Sequence, residues 1–179
     1  MLAGHSFGGL YALTFAARYP DEVAGMVLVD STAPASTANA GAASRGDEGS
    51  YDVMGRVSAL LSTSAQLGLA RLTDQSVTAS QARSTIDEYV QATASMSQAA
   101  SLGNFADKPL VVLTAGSGSD ADWSAAQNDM ATLSTNSAHR VIDGATHASL
   151  IHDEDDAGTT TQAILDVVSS VRSAGPLVK

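Results

Sequence analysis

A serine set among glycines, aspartates placed just after apolar runs, and a late histidine are the residues of this chain whose types could do chemistry together. Gly4-His5-Ser6-Phe7-Gly8, followed by Gly9, has the G-x-S-x-G spacing of a nucleophile elbow. In such an elbow a strand ends, the chain turns sharply with the serine in a strained conformation, and a helix begins. Glycines are expected on both sides because a Cβ there would collide with the neighbouring strand and helix. The turn leaves the serine Oγ at the top of a sheet, beside helix-end N–H groups that can stabilise an oxyanion. A serine hydroxyl is a weak nucleophile on its own. A neutral imidazole must take its proton and later return it to the leaving group, and a carboxylate must accept the other imidazole N–H and stabilise the imidazolium. His147 is the candidate base, and Asp30 or Asp120 the candidate acid.

Each of these residues has a plainer reading. Ser6 could be an ordinary helix N-cap, a position serine favours; the flanking glycines speak for the elbow instead. His5 occupies the variable position of the motif, and His139 falls inside an expected strand. His152 leads into Asp153-Glu154-Asp155-Asp156, which reads as an acidic, solvated helix start suited to the macrodipole. A metal site built from His147, His152 and that acidic run is the minor alternative, and no metal or other cofactor is expected. Asp30 directly ends an apolar run, where an aspartate often only caps a turn. Asp120 and Asp122 lie in a glycine- and serine-rich loop, with Asp122 placed to cap a helix starting at Trp123. Asp30 is favoured as the acid because a strand end fixes its position closely, with Asp120 kept as the alternative.

The elements that must position these groups are legible from hydrophobic patterning. Met1-Leu2-Ala3 reads as the end of a buried strand, and Leu10 to Ala17 as an apolar helix that Pro20 and Asp21 stop after Tyr19. Met26-Val27-Leu28-Val29 and Leu110-Val111-Val112-Leu113-Thr114 are continuous apolar runs, as expected of strands buried on both faces of a parallel sheet. Between them, residues 35–50 read as a linker rich in Ala, Ser, Gly and Asn. Val53, Met54, Val57, Leu60, Leu61 and Leu67 recur at helical spacing, as do Ile86, Tyr89, Val90, Thr93 and Met96. Trp123 to Leu133 reads as a helix, His139 to Ile142 as a strand ending at Asp143-Gly144, and Ile164, Leu165, Val168 and Val171 as the apolar face of a last helix. Alternating strands and helices imply an α/β fold with a parallel sheet and right-handed crossovers.

Composition narrows the function classes. A formal net charge of −10 with two lysines, Lys108 and Lys179, argues against a nucleic-acid partner and against adhesion to anionic membranes. No apolar run approaches the length of a membrane span. Zero cysteines exclude thiolate catalysis, disulfides and cysteine-based zinc sites.

The elbow, the strand-ending Asp30, the loop with Asp120 and the late His147 together resemble the α/β-hydrolase family. Gly4-His5-Ser6-Phe7-Gly8-Gly9-Leu10-Tyr11, Tyr19-Pro20-Asp21-Glu22-Val23 and Gly144-Ala145-Thr146-His147 look like its serine esterase and aminopeptidase members. The resemblance covers essentially the whole chain but only the C-terminal part of that fold, starting at the elbow. It implies a partial α/β-hydrolase fold: sheet strands six to eight, flanking helices and a helical lid insertion. Residues 1–34 would then be the elbow, its helix and the following strand, 35–107 the lid or cap, and 108–179 the C-terminal part of the core. The resemblance places the acid after the sixth strand (Asp30) or the seventh (Asp120), and makes the Phe7 N–H one oxyanion donor. The second donor would come from a loop before Met1.

The leading reading is therefore a serine hydrolase that cleaves a small-molecule ester or amide through an acyl-enzyme, incomplete as it stands. Dehalogenase-type chemistry is disfavoured because the elbow holds a serine rather than a carboxylate. Two other classes compete. One is a non-catalytic or truncated hydrolase-fold protein that keeps the elbow without a working site. The other is a binding module in which residues 51–102 present an apolar groove. With one flank of the sheet open, residues 1–179 alone are expected to self-associate and to hydrolyse short esters negligibly.

Overall fold

The computed structural model describes residues 1–34 and 94–177. Its centre is a sheet of four parallel strands in the order β1-β2-β3-β4: Leu2–His5, Met26–Val29, Leu110–Ala115 and Ser137–Ile142. Every residue of β2 and β3 is buried, which is why these runs are apolar without alternation. Their side chains nonetheless divide by parity, since successive residues point to opposite faces. Met26, Leu28, Leu110 and Val112 face one core with α1 (Phe7–Arg18), Met96, Leu102, Phe105 and Met130. Val27, Val29, Val111 and Leu113 face the other, against Leu150 and the Ala163 and Val167 side chains of α4 (Glu154–Ser173).

Between β3 and α4 lie two shorter helices, α2 (Ala121–Ala131) and α3 (Ser149–His152), and a 3₁₀ turn at Pro20–Glu22 follows α1. None of the described helices is long and apolar enough to cross a membrane. Residues 1–34 and 95–177 belong to one compact unit. The expected linker at 35–50 and the helical spacings from Val53 to Thr93 lie outside the described residues. Of the segment expected as a lid, residues 94–100 are helical, and Met96, Ala99, Leu102 and Phe105 are buried in the same core as the α1 side chains.

Several boundaries differ from the sequence reading, each for a local reason. β1 runs on through Gly4 and His5 because these pair with Leu28 and Val29. β4 begins at Ser137 rather than His139, since Ser137 and Ala138 pair with Leu110 and Val111 despite their small side chains. α2 starts at Ala121, so its N-cap is Asp120 and not Asp122; the Asp120 carboxylate accepts from the Trp123 N–H at 2.8 Å. The short α3 had no periodic signal of its own.

Candidate active site

The four strands are parallel, so the segments that follow them emerge at one edge of the sheet. Ser6 leaves β1 there with φ 57° and ψ −124°, a conformation rare for any residue with a side chain. It precedes the first turn of α1, yet its side chain makes no capping hydrogen bond. That geometry separates it from an ordinary N-cap serine, which is extended and bonds the second or third helical N–H. The backbone is clamped from both sides: Ser6 N–H donates to Val29 O at 3.1 Å, and Thr32 N–H donates to Ser6 O at 3.1 Å.

The glycines explain how the elbow closes, with one correction. A Cβ on Gly4 would stand 2.3 Å from the Gly8 carbonyl carbon, and one on Gly9 would stand 2.1 Å from Ser31 Oγ. At Gly8 a Cβ would meet nothing within 4 Å among the described residues. The elbow pattern predicts collision at the glycines on both sides of Ser6. It arises at Gly4 and at Gly9, because the tight approach is between the Gly4 Cα and the backbone of Gly8, not outward from Gly8.

Asp30 follows β2 directly, also with positive φ (41°), and is 3% exposed. Its N–H is held by Leu113 O at 2.7 Å. Oδ2 accepts from His147 Nδ1 at 2.6 Å, while Oδ1 accepts from the Trp123 indole Nε1 at 2.7 Å and from the Ala115 N–H at 3.2 Å. Burial pushes the carboxyl toward neutrality, but the hydrogen bonds from His147, Trp123 and Ala115 and the nearby His147 charge outweigh it, so Asp30 titrates below the ordinary aspartate range. Asp120, the alternative acid, is exposed and caps α2.

His147 lies in the loop between β4 and α3, which the left-handed Gly144 (φ 80°) helps to turn. An ionised carboxylate only accepts, so Nδ1 carries the imidazole proton and Nε2 of the neutral ring presents a lone pair. That Nε2 is buried and has no hydrogen-bond partner among the described residues, so the ring does not bond the Ser6 hydroxyl in this structure. Such contacts often tighten only once substrate is bound.

His5 is the residue whose part the motif did not signal, since it holds the variable position. Its Nε2 bonds the His147 carbonyl oxygen at 2.8 Å, and the two rings lie with centroids 4.2 Å apart. His147 is thus seated against the residue that precedes Ser6. Burial, followed by the neighbouring His147, lowers the His5 pKa and favours the neutral ring that can donate to this carbonyl. Phe7 opens α1, so its N–H has no acceptor within the helix and lies at the positive end of the macrodipole.

The remaining candidates lie elsewhere. His139 bridges Thr114 Oγ1 and Asn128 Oδ1, at 2.7 and 2.8 Å. Asp153 caps α4, with Glu154, Asp155 and Asp156 in its first turn. Among the described residues, His147, His152 and the acidic run do not gather into a group that could hold a metal.

The model of the alpha/beta hydrolase family matches residues 1–161. No curated protein matches the sequence. Among solved structures, BpoC of Mycobacterium tuberculosis H37Rv, a candidate non-heme bromoperoxidase, is similar with a TM-score of 0.52 at 14% identity, over 94% of this chain and 66% of its own. A point mutant of an epoxide hydrolase from Bacillus megaterium, complexed with its product, is similar with a TM-score of 0.53 at 11% identity, over 94% of this chain and 69% of its own. The chain therefore spans about two-thirds of the length of these relatives.

Proposed function

The chain belongs to the alpha/beta hydrolase family, and from that membership we propose that it carries the catalytic residues of a serine hydrolase acting on an ester or amide. Ser6 is the nucleophile, His147 the general base and Asp30 the acid. The observation that carries this reading is the 2.6 Å bond from His147 to the buried Asp30, which leaves a buried, unpartnered Nε2 on the ring packed beside the serine elbow.

The chemistry follows from the roles. As Ser6 Oγ attacks the carbonyl carbon, its proton passes to His147 Nε2, and Asp30 stabilises the imidazolium. The carbonyl π pair moves onto oxygen, where the Phe7 N–H at the start of α1 donates to the oxyanion. When the tetrahedral intermediate collapses, the bond to the leaving group breaks and Nε2 returns the proton to it, leaving an acyl-serine. Water then repeats the sequence: His147 takes its proton, the acid product forms, and Ser6 regains its hydrogen. A lowered His5 pKa suits this cycle, because a second positive charge against the imidazolium would oppose the proton transfer.

In the full-length enzyme a fluorophosphonate probe should label Ser6, and Ser6→Ala should abolish labelling and ester hydrolysis together. His147→Ala should cost nearly as much, since nucleophile and base act as a unit. Labelling that persists in the alanine variant at Ser6 would overturn the assignment.

A further inference from the structure

We propose that Trp123 is a positioning residue for the acid: its indole N–H, delivered from the helix after β3, holds the Asp30 carboxylate with Oδ2 turned to His147. This inference rests on the hydrolase reading above and deepens it.

Asp30 stands at the end of β2, yet the groups that orient its carboxylate belong to β3 and the segment beyond. Trp123 Nε1 and the Ala115 N–H both donate to Oδ1, at 2.7 and 3.2 Å. Oδ2 accepts the His147 bond at 2.6 Å. An aspartate χ2 is a broad, roughly two-fold torsion, so a carboxylate does not hold its plane unaided. Two donors on one oxygen fix that plane and turn the other oxygen toward the imidazole. An indole suits this role because it is rigid, with two side-chain torsions. It also only donates, so its N–H cannot compete as an acceptor for the His147 proton.

The tryptophan is itself aimed. Asp120 Oδ1 accepts the Trp123 backbone N–H at 2.8 Å, and its carbonyl accepts the Ser124 hydroxyl at 2.9 Å and the Ser124 N–H at 3.0 Å. This locks the first turn of α2 and the position from which the indole reaches across to β2. The two aspartates are thereby connected: Asp120 orients Trp123, and Trp123 orients Asp30.

Trp123 is the one tryptophan of the chain, so its indole N–H is a single, assignable resonance in a ¹H–¹⁵N spectrum. In the intact protein that resonance should lie downfield, exchange slowly with solvent, and move upfield in Asp30→Asn, where a neutral amide oxygen replaces the carboxylate. Trp123→Phe keeps an aromatic ring but removes the donor. In the full-length enzyme it should lower kcat by about 10–100-fold, as expected for losing a hydrogen bond to a charged group, with KM within about twofold and a cooperative thermal transition retained. An indole resonance indifferent to Asp30→Asn, or a Trp123→Phe enzyme with the parent kcat, would overturn the proposal. Failure of the parent to label at Ser6 would instead sink the hydrolase reading; the indole resonance would still decide whether Trp123 holds Asp30.

Discussion

The ends of β2 and β3 each lead into an aspartate, and the fold uses the two in opposite ways. Asp30 follows Val29 without a spacer, is 3% exposed, and sits at positive φ with its own N–H tied to Leu113 O across the sheet. Asp120 comes after the Gly116–Ser119 loop, is exposed, and bonds the turn that follows it. A carboxylate that must serve a partner far away in sequence needs its backbone pinned by neighbouring strands. One that serves its own helix needs only local turn geometry. Here the two go together: the aspartate that directly ends a strand is also the one whose backbone the neighbouring strand grips.

Neutralising each carboxylate in turn is the most severe test of this contrast. In the full-length enzyme Asp30→Asn should lower ester hydrolysis by roughly 10⁴-fold, the scale seen when the orienting carboxylate of a serine triad is lost. Asp120→Asn should cost under about tenfold, the weight of a helix cap acting at second hand through Trp123. The opposite ranking in a steady-state assay would move the acid to the end of β3.

A smaller effect should appear in stability at the place where the β2 end grips the elbow. Gly9 lies against Ser31, the residue after Asp30, so Gly9→Ala forces an overlap that should cost about 1–3 kcal/mol in urea unfolding. Gly8→Ala, one position earlier, meets no described neighbour and should leave stability unchanged or raise it by up to about 1 kcal/mol, the helix preference of alanine over glycine. Equal losses in the two variants would show that the elbow is not anchored through Ser31.

The smallest effect is a pH dependence from His5. Its pKa lies below 6.5 in the folded protein, through burial and the adjacent His147 ring, with the hydrogen bond to the His147 carbonyl and the Asp30 charge opposing. The unfolded chain therefore binds more protons as pH falls through about 6.5, and stability declines from there down to the folded pKa. His139, lowered by burial, slopes the same way. His5→Gln should flatten part of this decline in denaturation curves taken between about pH 8 and pH 5. An unchanged slope would assign the whole of it to other groups.

Much of the fold is legible in the chain, and the reasons are physical. Met26–Val29 and Leu110–Thr114 are apolar throughout because both faces of a central parallel strand are covered, and few other short segments have that need. Ser6 is conspicuous because a strained turn admits few residue types around it. The parts that could not be read are those with no local signature. β4 gains its first two residues from pairing with Leu110 and Val111, not from any preference of Ser137 or Ala138. His5 occupies a position the elbow pattern leaves free. Trp123 reads as the start of a helix, and nothing in its neighbours along the chain says that its indole reaches a strand end.

Local residue patterns were enough to specify the elbow, the late histidine and a short choice of carboxylates, because backbone strain and buried strands impose their residue types locally. Which carboxylate meets His147 was left to the packed fold. Asp30 and His147 are separated by 117 positions, and their 2.6 Å contact depends on the register of parallel strands, on a loop seated by His5, and on a carboxylate held from its other oxygen by Trp123. Hydrogen bonds between groups so far apart leave no periodicity in the chain; they exist only once the sheet has brought its strand ends to one edge.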